Sequence, residues 1–117
     1  MKIVLPYPDR LLWPNGRGHY HAKGRQVTKH RGWAMAATWE QTRGNKPTTP
    51  ESRVKVKLTV SAKPRGPLPD KDNCSAAAKS YLDGIADALG INDRLFDAPV
   101  VEFDAARTSQ FILEVTL

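Results

Sequence analysis

A chain of 117 residues, 40% apolar and 26% charged, has the size and balance of one soluble domain, residues 1–117, and carries no apolar run long enough to span a membrane. Its one cysteine, Cys74, excludes an internal disulfide and fits a reducing cytoplasm as a buried, inert thiol. The formal charge of +6 is unevenly divided: residues 1–65 hold 14 Lys/Arg against 3 Asp/Glu, and residues 66–117 hold 4 against 9. A basic half joined to an acidic half suggests a polyanion bound by one region and presented to carboxylates in the other.

The opening MKIVLPYP is too short in its apolar part for a signal peptide, so Lys2–Leu5 reads as a strand stopped by Pro6 and Pro8. Residues 9–27, with three glycines and a Pro-Asn-Gly turn, read as a long loop. Thr28 caps a predicted helix to about Arg43, ended by Gly44, with Trp33 and Trp39 expected in the core. NKPTTPES is a linker. Arg53–Ser61 alternates, with Val54, Val56, Leu58 and Val60 on one side, and predicts a half-buried strand. After a Pro/Gly-rich connector, residues 70–72 read as extended, and a helix follows from about Cys74 to Leu89 with Gly90 as its C-terminal cap. Ala78, Leu82, Ile85 and Leu89 form the core-facing stripe of that helix. Val100–Phe103 and Phe111–Leu117 read as two closing strands joined as a hairpin. The order β-α-β-α-β-β predicts an α+β fold, a small mixed sheet with two main helices.

The chemistry concentrates in DKDNCSAAAKSYLD, residues 70–83. In an extended stretch, Asp70 and Asp72 point the same way and aim two carboxylates at one place. Convergent carboxylates repel and stay ionised together only around a cation. Hard oxygen ligands suit Mg²⁺, with Mn²⁺ as a substitute, and Mg²⁺ completes its shell with water and phosphate oxygens. The bland alternative is an Asx-type cap, in which Asp72 or Asn73 ties off the helix.

Arg17, Lys23, Arg25, Lys29 and Arg31 crowd the basic segment with His19, Tyr20 and His21, a pattern suited to phosphate contacts on DNA and to a steep salt dependence of binding. The histidines, with His30, could be read as metal ligands. No cysteine or acidic partner lies at ligand spacing, so phosphate contact or simple exposure is the expectation.

Together, Asp70-Lys71-Asp72-Asn73, the run Lys79-Ser80-Tyr81-Leu82-Asp83-Gly84-Ile85, Asn92-Asp93 and the opening Ile3-Val4-Leu5-Pro6-Tyr7-Pro8 resemble the RusA-type Holliday junction resolvases of bacteria and their phages. The resemblance covers nearly the whole chain. It implies a homodimeric, Mg²⁺-dependent endonuclease that cuts four-way DNA junctions by paired nicks, leaving 5′-phosphate and 3′-hydroxyl ends, in a bacterial or phage-infected cytoplasm. Asp70, Asp72 and Asp93 are then metal-binding carboxylates, and Lys79 neutralises charge developing on the phosphoryl group. Two positions depart from the family pattern. The usual lysine position, three residues after the asparagine, is Ala76, and one of two adjacent acids is Asn92. A non-catalytic DNA-binding protein and a nuclease for other branched DNA stay open as alternatives.

An unbroken helix from Cys74 to Leu89 would run about 24 Å, while Gly90 to Asp93 can return at most about 13 Å. On that arithmetic Asp93 is expected to reach Asp70 and Asp72 of a second subunit. The small residues Ala76, Ser80, Gly84 and Ala88 supply a seam for the second helix, or else for the chain's own sheet.

Overall fold

In strand β1 (Lys2–Pro6) every second residue turns inward, burying Ile3 and Leu5. The computed structural model describes residues 1–14, 18, 20–43 and 53–117. Along the chain follow helix α1 (Tyr20–Thr42), strand β2 (Lys55–Ser61), helices α2 (Lys71–Ala77) and α3 (Lys79–Leu89), and strands β3 (Val100–Phe103) and β4 (Gln110–Thr116). The result is the expected α+β fold with a mixed sheet, but with the second helix divided in two. None of the described helices is long and apolar enough to cross a membrane.

The sheet order is β1-β4-β2-β3, with β4 antiparallel to both β1 and β2, and β3 parallel to β2. This corrects the expected hairpin: β3 and β4 lie on opposite sides of β2. The connector from Asp104 to Ser109 crosses the end of β2, where Asp104 N–H donates to Val60 O (2.9 Å) and Ser109 N–H to Ala62 O (3.1 Å). Buried Ser61 ties the crossing down, donating to Ala106 O and accepting from Thr108 N–H. A central position for β2 follows from its run Val56, Leu58, Val60, which needs apolar neighbours on both edges; Phe111, Leu113 and Val115 of β4 are paired with it in register.

The helices cover one face of the sheet. Tyr81, Ile85 and Leu89 of α3 join Ile3, Leu58, Phe111 and Leu113 in one core, and Tyr81 Oη donates to Pro6 O (2.6 Å). The opposite face carries Lys57, Glu102 and the half-exposed Val4.

Helix α1 begins at Tyr20, eight residues before Thr28. The run His21–Val27 contains only one glycine, Gly24, whose cost of about 1 kcal/mol relative to alanine is too small to stop a helix that packs on a neighbour. Its buried line is His30, Ala34 and Thr38, and Trp33 and Trp39 are 37% and 49% exposed instead of buried. The reason lies on α3: a Cβ built on Gly84 would meet Arg31 O at 2.2 Å and Ala34 Cβ at 3.0 Å. An approach this close admits only small side chains, which excludes an indole from the seam. The small-residue stripe is therefore used within the chain, against α1: Ser80, Gly84 and Ala88 are buried, whereas Ala76 stays exposed.

Candidate active site

Asp70 stands at the N-terminus of α2 with extended backbone, and its Oδ1 accepts from Asp72 N–H (2.8 Å). Lys71 and Asp72 are already helical. The expected extended pair is corrected: Asp70 is the cap, satisfying one of the orphan N–H groups of the first turn, and Asp72 occupies that turn. Both side chains are exposed.

Helical geometry continues to Ala78, where the backbone turns to φ −84°, ψ −5° and α2 gives way to α3. From Lys79, α3 lasts 11 residues. Gly90 then takes the left-handed conformation, φ 68°, as expected of a C-terminal cap. Ile91 N–H returns to Ala86 O (3.0 Å), folding the chain back beside α3. A short 3₁₀ turn, Asp93–Leu95, follows, and its Asn92 cap accepts from Arg94 N–H. This turn is anchored to the sheet: Val54 N–H donates to Leu95 O (2.7 Å) and Asp97 N–H to Val54 O (2.9 Å), beside the Arg53–Asp97 ion pair.

The return places Asp93 next to Lys79 of its own chain. Lys79 Nζ lies 3.3 Å from Asp83 Oδ1 and 4.0 Å from Asp93 Oδ2. Asp93 thus meets Lys79 within its own chain, and among the described residues it is not gathered there with Asp70 and Asp72. A cavity of about 230 Å³ joins Lys79, Asp83 and Asp93 to Ser75 and Asp97. Asp72 is three residues before Ser75, which sets the two on neighbouring positions of one helix face.

Asp83 is the participant that the sequence reading did not assign to the site. Its signal was the four-residue spacing from Lys79, which puts two side chains one turn apart. Conversely, Asp70, Asp72 and Asp93 do not come together: among the described residues no group of three or more His, Cys, Asp or Glu side chains is placed to hold a metal ion. Mg²⁺ does not require three protein ligands, since it takes one or two carboxylates and fills its octahedron with water and phosphate oxygens. Asp83 and Asp93 converging on one ammonium shows that two carboxylates here can share a single cation.

No protein-family model and no solved structure matches the chain. An uncharacterized protein of Xylella fastidiosa is 34% identical over 115 residues, covering 97% of this chain and 74% of that protein. The chain belongs to the same family as the Xylella protein.

Among the members of the basic segment, Arg17 and His19 lie outside the described residues. Tyr20 and His21 open α1 with their rings in contact, centroids 4.0 Å apart, and Tyr20 is 72% exposed. Lys23, Arg25 and Lys29 are exposed along the helix, with the Lys29 ammonium over the Trp33 ring at 4.9 Å. Arg31 pairs with Asp87 of α3 at 2.5 Å, and that hydrogen bond holds the guanidinium still more firmly protonated. The expected basic loop is thus, from Tyr20 onward, a basic helix.

His30 is neither exposed nor a metal ligand. It is buried, with Nε2 accepting from Asp9 N–H (3.1 Å) and Nδ1 donating to Gln26 O (2.7 Å). Both partners are satisfied by one neutral tautomer, and burial pushes the imidazole below its usual 6.5. The unfolded chain therefore takes up the proton first. Stability is fully present above about pH 6.5 and is lost as pH falls below that value toward the lowered folded pKa. A urea midpoint followed from pH 7.5 down to 5.5 is expected to fall in the wild type and to fall less in His30→Gln; equal slopes would contradict this assignment.

Proposed function

We propose that this chain is a Mg²⁺-dependent, structure-selective endonuclease that resolves four-way DNA junctions by paired nicks, acting as a homodimer of RusA type. The observation that carries the reading is the meeting of Lys79 with Asp83 and Asp93 in one chain. A nuclease needs, at one phosphate, a cation-holding carboxylate and a mobile positive group, and this cluster offers both.

Mg²⁺, when bound, lowers the pKa of a water and polarises the phosphodiester. Asp83 and Asp93, which already share one cation, would hold it, with water and phosphate oxygens filling the rest of its shell. Lys79, 72% exposed and paired with two carboxylates, would leave Asp83 or Asp93 to neutralise charge building on the phosphoryl oxygens. Lys23, Arg25 and Lys29 would fix the backbone without reading sequence.

One observation favours a second reading, a non-catalytic DNA-binding protein: Asp70 does cap α2. The two are separated by incubating purified protein with a synthetic four-way junction in Mg²⁺, Mn²⁺ and EDTA. Paired nicks that depend on the metal are expected. Tight binding without nicks in any metal would remove the nuclease and leave the binder, and nicks confined to flaps or forks would redirect the substrate class.

A further inference from the structure

A second cavity, of about 420 Å³, adjoins the first and shares Lys79 and Asp83 with it. Leu12, Val27 and Ala76 give it an aliphatic lining, to which Lys23 and Lys79 add two cations and Ser80 and Asp83 add polar atoms. We propose that this pocket receives one nucleobase turned out of the DNA stack, beside the phosphate that Lys79 meets. The proposal rests on the reading of the neighbouring cluster as the place where a DNA backbone is held.

Chemistry and shape select the occupant. A free phosphate has no use for an aliphatic lining, and a purely apolar ligand none for two lysines. A base has flat apolar faces and a polar edge and is tied to a phosphate, so it matches both. Volume fits as well, because small-molecule pockets start near about 300 Å³. Stacked duplex bases cannot enter a concavity, so only an extruded base qualifies, and extrusion is least costly where stacking is already interrupted, as at a branch point. Ser80 and Asp83 could meet the hydrogen-bonding edge of the ring.

The test uses junctions carrying one 2-aminopurine at successive positions around the branch, bound by the full chain in EDTA so that nothing is cut. Its fluorescence rises when the base leaves the stack. A rise is expected at one position with the wild type, and it should be lost in Ala76→Phe, which fills the pocket from an exposed helical site, with junction affinity retained. Val27→Phe fills the same space from α1 and gives the same answer should Ala76→Phe fold poorly. Silence at every position, or a rise that survives both fillings, overturns the pocket. Silence together with a dimer that dissociates in Ala76→Phe would assign the space to a second copy of the chain instead. If the rise appears and depends on Ala76 while Mg²⁺ produces no nicks, the nuclease reading falls and the pocket stands; if no junction binds at all, both fall.

Discussion

Asp93→Asn is expected to lower Mg²⁺-dependent nicking about 10²- to 10³-fold, the range found when one electrostatic group is removed from a transition state. Junction affinity should remain, because the basic helix is untouched. Asp93 is the informative carboxylate for two reasons. It is 52% exposed and among the described residues its one ion pair is the long one to Lys79, so its removal costs the fold little. Asp70, by contrast, caps α2, and Asp70→Ala would mix a catalytic loss with about 1 kcal/mol of helix stability. Lys79→Met should lower the rate by a similar factor. Mixing Lys79→Met with Asp93→Asn subunits is expected to restore nothing, since both groups act in one chain. Nicking by Asp93→Asn at the wild-type rate, measured in single turnover, would remove Asp93 from the site; recovery in the mixture would place it across a subunit boundary after all.

Gly84→Ala is expected to destabilise the fold by about 2–3 kcal/mol through overpacking, lowering the melting temperature on the order of 10 °C for a domain of this size. The added methyl meets the carbonyl oxygen of Arg31 at 2.2 Å, and backbone cannot swing aside as a side chain can. Helices α1 and α3 would have to part, loosening the Arg31–Asp87 pair on the same seam. Gly24→Ala provides the opposite sign. A Cβ there meets nothing within 4 Å, and alanine in a helix interior is favoured by about 0.5–1 kcal/mol. Thermal melts of the two variants should therefore move in opposite directions; a Gly84→Ala protein melting with the wild type would show that the seam has room.

Patterning carried most of the strands. The alternation at Val54–Val60 and the short apolar runs at both ends specified faces and approximate limits, because strand periodicity is local. Pairing is not local. Nothing between Phe103 and Phe111 announces that the connector crosses β2, and Ser61, which anchors the crossing, reads in the sequence as one more small strand residue. Glycine content misplaced the start of α1, and the indoles of Trp33 and Trp39 looked like core until the α1–α3 spacing showed that only small residues fit.

Composition and motif determined by themselves that a basic segment precedes an acidic cluster, that Asp70, Asp72, Lys79 and Asp93 are the groups to examine, and that Gly90 ends a helix in the left-handed conformation. These are properties of neighbours in the chain. Tertiary structure decided which of the groups meet: Lys79 joins Asp83 and Asp93 within one chain, and Asp70 spends an oxygen on capping. The anchoring of residues 95–97 on Val54 holds Asp93 where it meets Lys79. It depends on a contact between segments far apart in sequence, whose geometry no local pattern encodes.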